Sequence, residues 1–110
     1  LGEKADILMT FTNAAWYGNS SAPAHLFFMN KFRAIEKATP VIACANNGIS
    51  GVIDPVGRII SKTQLNDITI LDNYLPNKTA VSTIYSRIGL ISMFIAIALV
   101  QIMRFLSKKI

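Results

Sequence analysis

The order of signals along the chain predicts an α/β layer of about 75 residues followed by one apolar C-terminal helix. Three observations carry that expectation. Two apolar, β-branched runs, DILMTFTN at 6–13 and VIACA at 41–45, bracket a helical wheel over 24–38. The turn sequence DPVG at 54–57 separates two further apolar runs. Finally, the sixteen residues 88–103, IGLISMFIAIALVQIM, carry no charge and lie between Arg87 and Arg104.

Asp6 to Asn13 reads as a buried strand that ends at a turn-rich stretch. Residues 19–23, NSSAP, form a loop in which Pro23 opens a helix with Ser20 or Ser21 near its cap. Along that helix Phe28, Phe32 and Ile35 fall at i, i+4 and i+7 with Met29 beside them, the spacing of an apolar face. Pro40 stops it. Val41 to Ala45 is a second buried strand, and Asn46, Asn47 and Gly48 make a tight turn. Residues 49–53 and 58–62 flank Asp54-Pro55-Val56-Gly57, where Asp starts a type I turn, Pro fixes φ and Gly takes positive φ, giving a hairpin. The alternating run 67–74, DITILDNY, makes one more strand. Buried strands of this kind usually have neighbours on both sides, and a piece this small buries only roughly 60% of its unfolded surface, so the layer is expected to be part of something larger.

The chain has 110 residues, 52% apolar and 15% charged, which excludes a multidomain enzyme and intrinsic disorder. Its +5 charge is unevenly placed. Residues 1–84 carry seven basic and six acidic side chains, whereas Arg87, Arg104, Lys108 and Lys109 have no acid among them and flank the apolar run. That is the pattern of a membrane span with a cytoplasmic C-terminus and the preceding residues outside the cytoplasm. Sixteen residues make roughly 24 Å of helix against roughly 30 Å of hydrocarbon, so Arg stems must snorkel and Tyr85, Phe105 and Leu106 must extend the apolar length. A buried or interfacial helix is the other reading, although Ser92 and Gln101 make a poor polar face. The expected divisions are 1–76 for the layer, 77–84 for a linker, 85–107 for the span and 108–110 for a basic tail. Basic residues are scattered without interleaved aromatics, which disfavours nucleic acid.

One cysteine, Cys44, and one histidine, His25, leave little catalytic or metal chemistry. Cys44 sits inside a strand and reads as a core thiol rather than a nucleophile. His25 is a capping or surface residue, or a substrate contact. Arg33 and Glu36 have the spacing of an intrahelical ion pair, either solvated or anchoring the helix to nearby loops. Asn13-Ala14-Ala15-Trp16-Tyr17-Gly18 follows a strand directly, where layered α/β folds tend to place ligands, and Trp16 and Tyr17 either pack or contact a ligand there. No metal or cofactor is expected.

Several pieces now line up: TNAAWYG after a strand, a helix ending RAIEKATP, NNGISGVIDPVGRII, a strand, a linker and one apolar helix. In that order they resemble the C-terminal part of the bacterial apolipoprotein N-acyltransferase family, within the nitrilase (carbon-nitrogen hydrolase) superfamily. The resemblance implies a nitrilase-like αββα sandwich on the periplasmic side of the inner membrane, followed by a transmembrane helix. It also implies transfer of an acyl chain from phospholipid to the α-amino group of an apolipoprotein's N-terminal diacylglyceryl-cysteine, through a cysteine thioester. The family's Glu-Lys-Cys triad belongs upstream of its Asn-Asp-Ala-Trp-Phe-Gly motif, so no catalytic residue is expected here and the chain alone should be inactive, with an upstream fragment as a partner. Asn13, Trp16 and Gly18 match that motif, Tyr17 replaces its Phe, and Ala14 replaces its Asp; together Asn13, Trp16, Tyr17 and Gly18 are the pocket candidates. Arg33, Glu36, Asn47, Gly48, Asp54 and Gly57 match structural motifs, while His25 stands one position away from the family's histidine. Other readings are a single-span protein with a partner-binding outer domain, and a fragment of a generic carbon-nitrogen hydrolase.

Overall fold

The computed structural model describes residues 5–79 and 82–108. Four strands form one sheet in the order β1-β2-β3-β4: β1 (Leu8–Asn13), β2 (Val41–Asn46), β3 (Gly51–Ile53) and β4 (Ile59–Lys62). β1 and β2 run parallel, with Leu8 opposite Val41 and Asn13 opposite Asn46. A parallel pair needs a crossover, and α1 (Ala22–Lys37) supplies it. β2, β3 and β4 then pair antiparallel, with an irregularity between Val52 and Ile53. The α/β layer expected from sequence is therefore present, with strand and helix ends moved by at most two residues.

The helix begins where Ser20 Oγ accepts a hydrogen bond from Ala22 N at 3.3 Å, so Ser20 rather than Ser21 provides the hydroxyl. Pro23 occupies the first turn, where no intrahelical N–H is required. The helix ends on Ala38 in the left-handed region, with Thr39 N donating to Ala34 O at 3.1 Å, before Pro40 is reached.

Which face of α1 is buried differs from the expectation. Pro23, Phe27, Asn30 and Ala34 face the sheet, and Phe27 and Ala34 join Val41, Ala43 and Ile53 in the core. Phe28, Met29, Phe32 and Ile35 are exposed. The reason is steric: Ala34 lets the helix backbone approach β2 closely, and Phe27 reaches over Gly51, where a Cβ would meet the Phe27 ring and the Ser61 carbonyl. A wheel that scores only apolar count picks the aromatic side instead.

The sheet is covered on that one face. Its other face carries Met9 and Phe11 of β1, exposed, with Ile42, Cys44 and Val52 half-buried. Among the described residues β1 has a single neighbour, so its outer edge is unpaired, as expected of a layer that is part of something larger. The strand expected at 67–74 is also absent. Asp67 to Tyr74 runs without regular structure, and Ile68, Ile70 and Tyr74 are exposed. Alternation makes a strand only where a ladder partner is available, and among the described residues none reaches this segment.

The hairpin matches its sequence. Asp54 N donates to Arg58 O at 2.9 Å, Gly57 N donates to Asp54 O at 3.0 Å, and Gly57 has φ of +84°. The Asp54 carboxylate is buried within the turn and accepts from Val56 N at 3.0 Å, Arg58 N at 2.7 Å and Arg58 Nε at 2.9 Å.

The continuous span expected at 85–107 is instead two helices, α2 (Ile84–Ile88) and α3 (Ile91–Ser107), separated at Gly89 with φ of +55°. Thr83 Oγ1 caps α2 by accepting from Ser86 N at 3.1 Å. No described helix is long and apolar enough to cross a membrane. The expectations for residues 1–4, for 80 and 81 in the linker, and for 109 and 110 in the tail lie outside the described residues.

The Asp54 turn should dominate hairpin stability. Asp54→Ala strands three donors, two of them backbone, and is expected to cost about 2–3 kcal/mol in chemical denaturation. Arg58→Ala should cost about 1 kcal/mol or less, because its side chain is 79% exposed against 8% for Asp54. Equal effects would mean that the ion pair, not the backbone donors, holds the turn.

Candidate functional site

Because β1 and β2 are parallel, their C-terminal ends finish on the same side, and the loops that follow them meet there. Asn13 Oδ1 accepts from Ala15 N at 3.1 Å and starts a single 3₁₀ turn, Ala15–Tyr17. Ala14 N donates to Asn46 O at 2.9 Å, extending the β1–β2 ladder by one bond into the loops. Ala14 is buried against the turn after β2, where a Cβ at Gly48 would stand 3.0 Å from the Ala14 methyl and 2.7 Å from that of Ala45. Glycine at 48 and a small residue at 14 thus fit together, and two motifs more than thirty residues apart in sequence form one corner.

That corner is braced from the hairpin side. Ser50 Oγ accepts from Ala45 N at 3.0 Å, Ser50 N donates to Thr63 Oγ1 at 3.0 Å, and Thr63 N returns a bond to Ser50 O at 2.8 Å. The sequence reading missed both Ser50 and Thr63. Nothing local marks them, since each bond joins residues that only the hairpin brings together. Asn66 Nδ2 donates to Asn19 Oδ1 at 2.8 Å, tying the segment after β4 to the loop after the 3₁₀ turn.

Beneath that segment lies a concavity of about 640 Å³ on the uncovered face of the sheet. Ile42, Cys44, Val52, Asn46, Asn47 and Asp67 are among its lining residues. Asn47 and Gly48 are therefore placed at it, whereas Asn13, Trp16, Tyr17 and Gly18 lie outside its lining. Trp16 is 88% exposed and Tyr17 about half exposed, so neither packs in the core. The two aromatics therefore do not pack against the described residues and are free to meet a ligand or another part of a larger protein.

Arg33 and Glu36 form no ion pair in the described structure, and α1 carries them away from the concavity. Asp54 and Gly57 serve the hairpin turn. His25 is exposed on α1. Cys44 is a free thiol on β2, and no lysine, glutamate or histidine lines the concavity with it. A thiolate nucleophile needs a proton acceptor and a cation held beside it; among the described residues lining the concavity only Asp67 is charged, and no cation accompanies Cys44 there. Among the described residues no cluster of His, Cys, Asp or Glu could hold a metal ion.

Comparison with known proteins gives a consistent result. A family model described as carbon-nitrogen hydrolase matches residues 2–85. The chain is similar to the apolipoprotein N-acyltransferase of Rickettsia bellii (strain RML369-C), 40% identical over 97% of this chain and 21% of that protein. It is likewise similar to the enzyme of that name in Rickettsia typhi, 40% identical over 98% of this chain and 22% of that protein. The corresponding protein of Rhodopseudomonas palustris is 39% identical over 93% of this chain and 19% of its own length. The chain spans about a fifth of the length of the curated relatives it matches.

The exposure of Trp16, the single tryptophan, is directly measurable. Its emission should resemble that of tryptophan in water and be quenched freely by acrylamide. A blue-shifted, protected emission from the chain by itself would contradict the geometry of the 3₁₀ turn.

Proposed function

The chain belongs to the carbon-nitrogen hydrolase family, and from that membership we propose that it is the C-terminal part of a membrane-bound apolipoprotein N-acyltransferase. In this reading the whole enzyme moves an acyl chain in two steps. A cysteine thiolate attacks the phospholipid ester carbonyl, forming a thioester and releasing a lysophospholipid. The α-amine of a diacylglyceryl-cysteine then attacks the thioester, forming an amide and returning the thiol. Each step needs a nucleophile, a base and stabilisation of the oxyanion in one place. The only cysteine of this chain has no such company, so the Glu-Lys-Cys triad belongs to another part of the enzyme.

The observation that carries the reading is the form of the sheet. Its α1 face is a finished core and its other face is apolar and open, which is how one layer of an αββα sandwich looks without the second. An upstream part of the same enzyme is the proposed second layer. The loop of Asn13, Trp16, Tyr17 and Gly18 would then stand at the edge of the joint and contribute to the acyl or lipopeptide pocket, opposite the concavity bordered by Asn47 and Gly48.

The membrane location in this reading is supported by α3. Its 17 residues are mostly apolar, and none of them is buried in the described structure. A helix of that kind needs either a protein sheath or lipid. α3 by itself falls short of a full crossing; we assign it to the bilayer with the shortfall met by a snorkelling Arg104 and local thinning, Arg104 and Lys108 at the cytoplasmic side and the sheet on the periplasmic side of the inner membrane. Phospholipid and apolipoprotein are the partners; no cofactor is invoked.

The 110-residue chain with phospholipid and a diacylated lipopeptide should yield no triacylated product by mass spectrometry. Product formation would overturn the placement of the triad. Exchanging this chain for the matching segment of the Rickettsia bellii enzyme should preserve transfer, and a folded but inactive chimera would sink the functional assignment. In an active chimera, Cys44→Ala should stay within about twofold of the parent, whereas Trp16→Ala with Tyr17→Ala should lower kcat/KM by about tenfold or more.

A further inference from the structure

β2 pairs with β3 only as far as Ala43 opposite Gly51, although its pairing with β1 runs on to Asn46. Cys44 to Asn46 therefore have a strand on one side and none on the other among the described residues. Ser50 fills that place with a side chain. Its Oγ accepts from Ala45 N at 3.0 Å and donates to Ala45 O at 3.4 Å, so one hydroxyl serves both backbone groups that a ladder partner would serve.

Ser50 is itself held from the opposite side. Ser50 N donates to Thr63 Oγ1 at 3.0 Å and Thr63 N donates to Ser50 O at 2.8 Å, just past the pairing of Gly51 with Lys62. Thr63 is only 8% exposed, so water has little access to the place of its hydroxyl. Three segments, the ends of β2 and β4 and the start of β3, are thus joined through one serine.

Two contacts carry that junction to the loop after β1. Asn46 O, next to Ala45, accepts from Ala14 N at 2.9 Å. Gly48 lies so near both alanines that a Cβ there would stand 2.7 Å from the Ala45 methyl and 3.0 Å from that of Ala14. Ala14 leads directly into the 3₁₀ turn that Asn13 Oδ1 starts and that carries Trp16 and Tyr17. With Trp16 88% and Tyr17 48% exposed, the backbone beneath them sets their position, not packing of their own rings.

We propose that Ser50, seated by Thr63, is a positioning residue for the acyl-transfer site. Its hydroxyl fixes the end of β2 against Ala14 and so sets where the Trp16 and Tyr17 loop stands. Its one proton is committed to Ala45 O, so Ser50 acts through the loop and not on a reacting atom. The proposal rests on the reading of that loop as part of the acyl or lipopeptide pocket. A chain of contacts amounts to coupling only when a change at one end alters the effect of a change at the other, which a double-mutant cycle measures.

The cycle is run in the chimera in which this chain replaces the matching segment of the Rickettsia bellii enzyme. Ser50→Ala and Thr63→Val should each lower kcat/KM by about fivefold or more, while Thr63→Ser, which keeps the hydroxyl, should stay within about twofold of the parent. Added to Trp16→Ala with Tyr17→Ala, Ser50→Ala should cost less than about twofold further, because the loop it places has already lost its rings. Losses that multiply, or a Ser50→Ala chimera as active as its parent, would overturn the proposal and leave the pocket reading standing. If Ser50→Ala does not fold, Thr63→Val carries the same cycle. A paired alanine change at 16 and 17 without effect would overturn the pocket reading of the loop, and the positioning role with it. Amide hydrogen exchange in the full chain tests the link without turnover: Ser50→Ala should speed exchange at Ala45 N and Ala14 N by about tenfold or more and leave Asp54 N within about twofold. An Ala14 N protected as in the parent would overturn the connection from Ser50 to the loop, whatever the chimera does.

Discussion

The contact of Phe27 and Ala34 with Val41, Ala43 and Ile53 is the one on which the rest of the molecule depends. It fixes the helix to one side of the sheet, and in doing so it makes the crossover between β1 and β2 productive. Parallel pairing then aligns the ends of those strands, which is why the Asn13 loop and the Asn47 turn meet. Once one face of the sheet is used, everything apolar on the other face, and on the far side of α1, is left without a partner within the described structure. The open surfaces are the complement of the core rather than separate features.

Some of this was legible in the residues alone. The DPVG turn specified itself, because Asp, Pro and Gly each meet a local backbone demand and no distant contact is needed. The two apolar runs and the helix between them were legible for the same reason. What could not be read locally was any feature set by a neighbour. The face of α1 was misassigned because one alanine and one phenylalanine, Ala34 and Phe27, won the sheet on shape, against four larger apolar residues on the other side. Asp67 to Tyr74 alternates like a strand but has no ladder to join, and Gly89 divides an apolar run that composition shows as continuous.

The site divides along similar lines. The loops that carry Asn13, Asn47 and Gly48 do converge; a hydrogen bond accounts for Asn13 and close contacts account for Gly48. Arg33 and Glu36 match a motif without forming the pair that their spacing suggests. Ser50 and Thr63, which brace the corner, carry no motif and become visible only when the hairpin closes. Ala14 shows how a departure from a motif is accommodated: with Gly48 so near, the position holds a methyl without a gap.

The lone edge of β1 has a kinetic meaning. Among the described residues no strand pairs with the outer side of β1, where the N–H and C=O groups of alternate residues point, and a few residues beyond β4 the chain carries DITILDNY, an alternating segment with no ladder partner among them and rich in β-branched side chains. These two are complementary in the sense that drives strand addition between copies. A correct neighbour and a second molecule therefore compete for the same hydrogen-bonding row. The outcome is decided by which arrives first, so local concentration and the timing of assembly govern whether this surface completes a fold or seeds an aggregate.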